Sequence, residues 1–454
     1  MNLPPLALLD PHPAPPPLAV PDDGDTIVRT LGQHNIEVVD AWAHVGPQAV
    51  RYDLLLAAGI LPVKVERAIE AVALATGRTV RYGGVHGTRV SVEVARTERA
   101  SVPLRAAIEA SPALVSLGFV AGQTFDSFAT GRIVDAPHLL VAGTTGGGKS
   151  TFLTQLLATL LLRNTPGDMR LMLIDPKRVE LTAFAGLPHL LEPIVTEPES
   201  AVRALRRVLS IMDQRYKTFG RLGVKDLRGH NDLPGEKLPR IVVVIDELAD
   251  LMMTSPKSVE EHLVRLGQLG RAAGVHIVAA TQRPDAKTIT TKIKTNIPGR
   301  VVFHVSSHYD SQVALDATGA EKLLGAGDGL LKLPGLREPV RFQSPAASAD
   351  EVDRVVSWWA QNSPPAPTTP QRDEEAAARA EAERQAAEDA RVRREYSRGA
   401  REMFPEYDTP VDDVLAEAGI SEDVVDALAE KVAERVLAMI ERMMPGEPGP
   451  SDAQ

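Results

Sequence analysis

The sequence has 454 residues, 44% of them hydrophobic, which is enough for two or three domains. It contains no cysteine, which excludes a disulfide framework and a thiolate metal site and is typical of a reducing cytoplasm. No apolar run reaches the roughly 18 residues that a membrane-spanning helix needs. The eight prolines of residues 1–22 are not accompanied by the basic segment of a signal peptide. We therefore expect a cytoplasmic protein that is not inserted directly into a membrane.

The formal net charge of −10 is concentrated in one part of the chain. Residues 367–454 carry 11 Lys and Arg against 22 Asp and Glu, whereas residues 1–366 carry 39 against 38. Because binding to nucleic acid depends on a local basic surface, the acidic total does not exclude a nucleic-acid partner.

The predicted elements begin with a Pro-rich segment, residues 1–25, that we expect to be disordered. Residues 26–111 are predicted to form a small α+β domain. Its expected strands are IEVVDAW, AVRYDLLL, TVRYG and RVSVEVA, and its expected helix is VKVERAIEAVALAT.

Residues 112–360 alternate apolar strands with helical patterns. The expected strands are HLLVAG, RLMLID, RIVVVID, VHIVAAT and RVVFHV. Nearly continuous apolar strands of this kind predict an α/β domain with a mostly parallel sheet and helices on both faces. A Pro-rich linker, 361–370, then leads to an acidic tail, 371–454, which is predicted to be helical or partly disordered. Within the tail, residues 424–444 have apolar side chains at helical spacing.

A glycine-rich loop follows the first of these strands, in HLLVAGTTGGGKSTF. The pattern Gly-x-x-x-x-Gly-Lys-Ser between a strand and a helix is typical of a loop whose backbone N–H groups wrap phosphates. Lys149 would neutralise the β and γ phosphates of ATP, and the Ser150 hydroxyl would ligate Mg²⁺. The alternative, a chance Gly-rich turn, is disfavoured by the Lys-Ser pair and by both flanking elements. The predicted nucleotide-binding residues are Gly143, Thr144, Thr145, Gly146, Gly147, Gly148, Lys149, Ser150 and Thr151.

An acidic pair, Asp246 and Glu247, ends the apolar strand of IVVVIDELADLM. Ligands bind at the carboxyl ends of parallel strands, so a carboxylate pair at this position indicates a catalytic function. Asp246 would hold Mg²⁺ and Glu247 would polarise the water that attacks the γ phosphate. The alternative is a solvated acidic helix start.

Other polar residues follow strands in the same way. Gln282, in VAATQRP, is of the type that senses a γ phosphate or orients water, although the strand could simply end in a turn before Pro284. Asp175 ends RLMLID, and Lys177 and Arg178 follow it in a segment that could equally be a solvated turn.

Arg271 lies in LGRAAG, at the end of the helix that follows the acidic pair. An arginine at this position could point to the nucleotide of a neighbouring subunit and stabilise the charge of phosphoryl transfer. The alternative role is that of a cation at a helix C-terminus.

Long strings of this sequence closely resemble the FtsK/SpoIIIE family of DNA translocases, in order over about residues 115–345, and residues 35–110 resemble the family's small α domain. The strings that carry the resemblance are HLLVAGTTGGGKS, LIDPKRVEL, LPHLLEPIVTEPESAVRALRRVLSIMDQRYKTFGRLGVKDLRGHN, VVIDELADLMM, GRAAGVHIVAATQRP, IKTNIPGRVVFHVSS and GAEKLLGAGDGLL.

The resemblance implies a homo-hexameric ring of RecA-like P-loop NTPase domains that moves double-stranded DNA with ATP hydrolysis, in DNA segregation or transfer. Lys149, Ser150, Asp246 and Glu247 match the family's phosphate-loop and acidic motifs, and Arg271 matches its trans-acting arginine. The residues on the segment that matches the loop facing the pore, and that are predicted to contact the DNA backbone, are Arg283, Lys292 and Lys294.

The sequence also departs from the family pattern. It shows no amino-terminal membrane region, and His308 and Gln312 stand where the family usually has pore cations. The acidic tail does not match the family's basic winged helix, so we expect a tether or a docking segment for a protein partner there. Two other functions stay open: a related ring motor that acts on protein, and a nucleotide-gated binding protein that has lost translocation.

Overall fold

The structure is a computed structural model that describes residues 2–12, 23–98, 100–112 and 115–363. Most of the predicted linker 361–370 and all of the predicted acidic tail 371–454 lie outside the described residues. In the part of the chain that is described, every helix is too short or too polar to cross a bilayer.

The amino-terminal part of the fold is a four-stranded antiparallel sheet, in the order β1-β2-β4-β3, with helices against it. Its elements are α1 (Asp23–Gln33), β1 (Val38–Val45), β2 (Ala49–Leu56), α2 (Pro62–Arg67), α3 (Ile69–Thr76), β3 (Val80–His86) and β4 (Arg89–Ala95). Valines alternate along β4, and Val90, Val92 and Val94 enter the same core as Ile27 and Leu31 of α1. All four predicted strands are present, and the predicted helix is divided at Ala68 into α2 and α3.

Two short elements follow, β5 (Val102–Pro103) and α4 (Leu104–Glu109). The sequence placed them in the small domain, but Leu104 and Ile108 are buried in the core of the larger sheet. The small sheet therefore ends well before residue 111.

The larger sheet has nine strands in the order β7-β6-β14-β13-β12-β8-β11-β10-β9. The strands are β6 (Gly118–Gln123), β7 (Phe128–Arg132), β8 (His138–Ala142), β9 (Met169–Ile174), β10 (Arg240–Ile245), β11 (Val275–Thr281), β12 (Gly299–Phe303), β13 (Asp328–Lys332) and β14 (Val340–Gln343). A last short strand, β15 (Pro345–Ala346), pairs with β5 outside this sheet.

Pairing within this sheet is parallel from β9 to β12 and antiparallel from β12 to β7. The five predicted strands are β8 to β12, and they form the parallel half. The prediction of a mostly parallel sheet is wrong for the sheet as a whole, because four antiparallel pairings balance four parallel ones. The observed fold is an α/β fold with a mixed sheet.

Helices cover both faces of this sheet, as predicted. They are α5 (Lys149–Arg163), α6 (Pro198–Leu222), α7 (Leu227–Asp232), α8 (Leu248–Thr254), α9 (Pro256–Ala273), α10 (Thr291–Asn296), α11 (His308–Leu315) and α12 (Ala349–Asn362). Alternation along the strands divides the side chains between two cores. Leu139 and Val141 of β8 pack with α5 and α12, whereas Leu140 and Ala142 face the core that contains α6 and α9.

Residues 2–12, which we call the amino-terminal strap, pack against α12. Leu9 is fully buried, and the Asp10 backbone N–H donates to Glu351 Oε1 at 2.9 Å. Arg354 donates to the Leu8 carbonyl at 2.7 Å and to Asp10 Oδ1 at 2.6 Å. The prediction of disorder for residues 1–25 is therefore wrong for the strap, because a buried leucine and a clamping arginine offset its high proline content. Residues 13–22 lie outside the described residues.

Candidate functional site

The predicted phosphate loop joins β8 to α5, which begins at Lys149. Gly148 has φ 120°, and a Cβ there would lie 2.5 Å from the Gly327 Cα. The Gly327 N–H donates to the Gly147 carbonyl at 2.8 Å, and the Ala326 N–H donates to the Gly146 carbonyl at 3.0 Å. Glycine is required at 148 by both conformation and space, and the loop lies directly on residues 326–327.

Lys149 and Asp246 form a buried ion pair between the start of α5 and the end of β10. Lys149 Nζ lies 2.6 Å from Asp246 Oδ1 and 2.8 Å from the Asp246 carbonyl oxygen. Burial raises the pKa of Asp246, and the Lys149 ammonium group opposes this shift without cancelling it. The other carboxylate oxygen, Oδ2, is buried and has no hydrogen-bond partner among the described residues. This oxygen is a ready ligand for a cation.

Ser150 donates a hydrogen bond from Oγ to Glu180 Oε1 at 2.6 Å. Sequence reasoning gave Glu180 no function, although it stands five residues after Asp175 in LIDPKRVEL. An acid shortly after a strand that ends in Asp was the signal that could have indicated it. The structure thus adds a carboxylate, Glu180, next to the predicted Mg²⁺ ligands Ser150 and Asp246.

Glu247 is buried and accepts hydrogen bonds from both neighbouring strand ends. Thr281 Oγ1 donates at 2.7 Å and the Gln282 N–H at 3.2 Å, while Lys177 Nζ donates at 3.0 Å from the other side. Burial lowers the pKa of Lys177, but the hydrogen bond and charge of Glu247 outweigh it and leave this pKa raised. Lys177 is therefore bonded to the site, while its side chain stays 38% exposed in the turn after β9. Its neighbour Arg178 is exposed and pairs with Glu197.

Gln282 connects the phosphate loop to the acidic pair. Its side-chain Oε1 accepts from Thr145 Oγ1 at 3.2 Å, and its backbone N–H donates to Glu247. Asp175, at the end of β9, is fully buried and accepts from the Leu181 N–H at 3.0 Å. The ends of β8 to β11 therefore bring Lys149, Ser150, Asp246, Glu247 and Gln282 together, as the sequence predicted for their positions.

An open cleft of about 590 Å³ is lined by Ser150 and by Lys149 and Gln282, which bond the buried Asp246 and Glu247. Pockets of this size are typical of small-molecule and nucleotide sites. The cleft has the positive potential that phosphates need. It comes from glycine N–H groups, from Lys149 and from the amino-terminal end of α5. The predicted nucleotide-binding residues that line the cleft are Thr144, Thr145, Gly146, Gly148, Lys149, Ser150 and Thr151.

Arg271 lies far from this cleft. It is exposed in the last turn of α9, immediately before β11 begins at Val275, whereas Thr281 at the other end of β11 contacts Glu247. Seven strand residues span about 20 Å. Arg271 therefore cannot reach the phosphate loop of its own chain, which is compatible with the predicted action on a neighbouring subunit.

The three predicted DNA contacts lie after β11 and on α10. Arg283 is exposed, with Nη1 3.8 Å from Met253 Sδ. Lys292 pairs with Glu260 at 3.2 Å, and Lys294 pairs with Asp316. Two of the three cations are thus partly neutralised within the chain, which sequence reasoning did not foresee.

His308 and Gln312 are both exposed on α11, four residues apart and therefore on one helix face. Lys294 Nζ donates to the Gln312 backbone carbonyl at 3.2 Å, so the end of α11 lies beside α10.

Two solved structures share this fold. The pCW3 conjugation coupling protein TcpA, in a monomer form with ATPgS, aligns with a TM-score of 0.51 and 23% identity over 74% of this chain and 99% of that one. EssC (ATPases 2 and 3) from Geobacillus thermodenitrificans aligns with a TM-score of 0.50 and 19% identity over 57% of this chain and 52% of that one. At these identities the likeness concerns the fold alone.

Curated sequences are more similar. The DNA translocase FtsK of Bacillus cereus is 39% identical over 351 residues, which are 73% of this chain and 44% of the relative. FtsK of Oceanobacillus iheyensis is 41% identical over 344 residues, 72% and 44% of the two chains. SpoIIIE of Bacillus subtilis is 39% identical over 349 residues, again 72% and 44%. The chain spans less than half the length of these relatives.

The family model of FtsK/SpoIIIE matches residues 105–286, a range that contains the phosphate loop, the acidic pair, Arg271 and Gln282. With 39% identity to FtsK and SpoIIIE sequences over 73% and 72% of this chain, this match shows that the chain contains a domain of the FtsK/SpoIIIE family.

Proposed function

We propose that the chain is an ATP-driven double-stranded DNA translocase that acts as a ring motor in DNA segregation or transfer. The observation that carries the proposal is the hydrogen-bonded group of Lys149, Asp246, Glu247 and Gln282 beside an open cleft at the carboxyl ends of parallel strands. DNA as the substrate is supported by the relatives, which are named DNA translocases.

ATP would lie with its phosphates against the phosphate loop, where Lys149 would neutralise the β and γ phosphates. Ser150 and Asp246 would hold Mg²⁺, and the unpartnered Asp246 Oδ2 supports this assignment. The ion would compensate phosphate charge. In the structure Lys149 is bonded to Asp246, so nucleotide binding requires Lys149 to exchange a carboxylate for a phosphate partner.

Glu247 would accept a proton from the attacking water and Gln282 would orient that water or contact the γ phosphate. Glu247 is bonded to Lys177 and Thr281, and these contacts fix its carboxylate beside Gln282. Arg271 would act on the nucleotide of the next subunit. Arg271 lies at the amino end of β11, and the site lies at the carboxyl end of that strand. This role of Arg271 therefore requires an assembly of several subunits, and the family resemblance implies a homo-hexameric ring.

DNA would contact the segment with Arg283, Lys292 and Lys294 through its phosphates. Such contacts carry no base information, which suits a motor that must move along any sequence. The expected location is the cytoplasm, where both ATP and DNA are present.

The test is ATP hydrolysis with and without linear duplex DNA, paired with displacement of a triplex-forming strand from the same duplex. We expect DNA to stimulate hydrolysis and the triplex to be displaced only when ATP is supplied. Lys149→Ala is the matched control and should do neither. Hydrolysis that is indifferent to DNA, without displacement, would contradict the proposal and favour a motor that acts on protein.

A further inference from the structure

The cleft over the phosphate loop continues into a second cleft of about 350 Å³. Ser101, Val102 and Ala346 line both clefts, so the two adjoin at the pair of short strands β5 and β15. The outer wall of the second cleft is formed by Asp10 and Pro11 of the amino-terminal strap.

The residues that line the cleft over the phosphate loop indicate how a bound nucleotide would be oriented. Lys149, Ser150 and Gln282 mark the end that would receive the terminal phosphates. Ser101 and Ala346 line the same cleft where it meets the second one. The cleft thus offers a triphosphate seated on the loop room for its sugar and base beside β5 and β15.

The second cleft has the chemistry that a base and sugar need. Its lining combines apolar and polar side chains, and the apolar ones are Pro11, Val102, Pro103, Ala346 and Ala347. The polar ones are Asp10, His12, Ser101, Ser348 and Glu351. Sites for such ligands combine apolar walls with polar groups that fix orientation.

The strap wall is held in place before any ligand arrives. Leu9 anchors it in the core, and Arg354 bonds both the Leu8 carbonyl and the Asp10 carboxylate. Arg105 Nη1 adds a bond of 3.2 Å to the Leu9 carbonyl. A wall fixed in this way costs little ordering entropy when a ligand binds.

We propose that the cleft between the amino-terminal strap and the β5–β15 pair holds the nucleoside part of the bound nucleotide, so that the strap is part of the ATP site. The inference rests on the proposed function, since it assumes that the phosphate loop binds ATP. It gives a function to a segment that lies almost a hundred residues before the family match begins at residue 105.

The test compares Mg²⁺–ATP with inorganic tripolyphosphate, which has the phosphates but no nucleoside, by calorimetric titration. Ala346 is exposed and lines both clefts, so Ala346→Trp fills the junction without disturbing the core. We expect this variant to lose ATP affinity by at least about ten-fold and to keep tripolyphosphate affinity within about two-fold. Ala349→Trp is the matched control, since Ala349 is exposed and lines neither cleft, and both affinities should stay unchanged.

A second variant acts on the strap itself. Arg354→Met removes the bonds to Leu8 and Asp10 while keeping a long apolar side chain, and a melting curve verifies that the variant is folded. We expect ATP binding to weaken several-fold, with tripolyphosphate binding unchanged.

The outcomes separate the two proposals. If the unaltered protein binds ATP and Ala346→Trp lowers neither affinity, or lowers both equally, the nucleoside assignment is wrong and the proposed function stands. If the unaltered protein binds neither ligand, the proposed function fails, and the nucleoside assignment fails with it.

Discussion

Lys149 and Asp246 are bonded to each other in the structure, with Nζ 2.6 Å from Oδ1 and both side chains buried. The ammonium group predicted to bind phosphate is thus paired with the carboxylate predicted to hold Mg²⁺. Removing one partner of a buried ion pair leaves an uncompensated charge and lowers the free energy of unfolding. Replacing both partners lowers it far less.

Lys149→Ala should therefore abolish ATP hydrolysis and lower the free energy of unfolding by about 3 kcal/mol while the protein stays folded. The double variant Lys149→Met with Asp246→Asn should recover most of that stability and still not hydrolyse ATP. Urea unfolding and a phosphate-release assay measure the two effects. Full hydrolysis by Lys149→Ala would exclude the assigned role.

The composite site predicts complementation between two inactive variants. Arg271→Ala should bind nucleotide but hydrolyse it poorly, since its arginine is supplied to a neighbour, and Glu247→Gln should be inactive because it lacks the base. A mixture should recover part of the activity, because some interfaces combine an intact Glu247 with an intact Arg271. A mixture that stays as inactive as its components, after subunit exchange has been demonstrated, would show that the site is not shared.

DNA affinity should depend steeply on salt and little on sequence, because phosphates are the predicted contacts. Arg283→Ala should lower the slope of log affinity against log salt by about one. Glu260→Gln should strengthen binding at low salt, since Glu260 neutralises Lys292. Fluorescence anisotropy at several salt concentrations measures both, with the exposed Lys225 changed to Ala as the control. Strong preference for one DNA sequence would contradict a backbone-driven interaction.

Three buried histidines should make the fold sensitive to acid. Burial lowers the pKa of His138 to about 3, and of His189 and His276 to about 4. At pH 5 the unfolded state binds protons that the folded state does not, so stability falls as the pH drops below about 6.5. Each histidine should lower the free energy of unfolding by about 2 kcal/mol when the pH falls from 7 to 5.

Urea unfolding at both pH values measures this loss of stability, and the variant His138→Asn isolates the contribution of His138. The asparagine amide oxygen can replace Nδ1 as the acceptor of the Ile277 N–H, at 3.1 Å in the structure, without binding a proton. The variant should lose less stability than the unaltered protein over the same pH interval. An equal loss in both proteins would show that His138 does not contribute.

The acidic segment 367–454 is not expected to bind DNA, because its charge has the same sign as the phosphates. A chain ending at Pro365 should keep DNA-stimulated ATP hydrolysis and bind DNA somewhat more tightly at low salt. Loss of stimulation from a shortened chain that is still folded and hexameric would show instead that the tail loads DNA.

The parallel half of the sheet could be predicted from the sequence because β8 to β12 are buried on both faces and read as continuous apolar runs. The antiparallel half of the sheet could not be predicted in this way. β7 reads FATGR and is half exposed, and β14 has only four residues, so neither produces a run long enough to distinguish from a loop.

Within the site, strand ends placed Lys149, Asp246, Glu247 and Gln282 correctly next to each other, since the carboxyl ends of parallel strands share one edge. Glu180 and Lys177 lie in the connection after β9, whose path no periodicity specifies. The pairing of Lys294 with Asp316 depends on a turn after α11 and was equally invisible in the sequence.

The contact between Asp10 and Glu351 joins residues 341 positions apart. During synthesis, at roughly 5 to 20 residues per second, the strap must wait on the order of 20 to 70 seconds for the helix that holds it. Until then the strap lacks the hydrogen bonds with Glu351 and Arg354 that hold it. The strap is therefore held only after residues 351–354 have been made, and a chain interrupted before residue 354 has an unheld amino-terminal strap that chaperones and proteases can recognise.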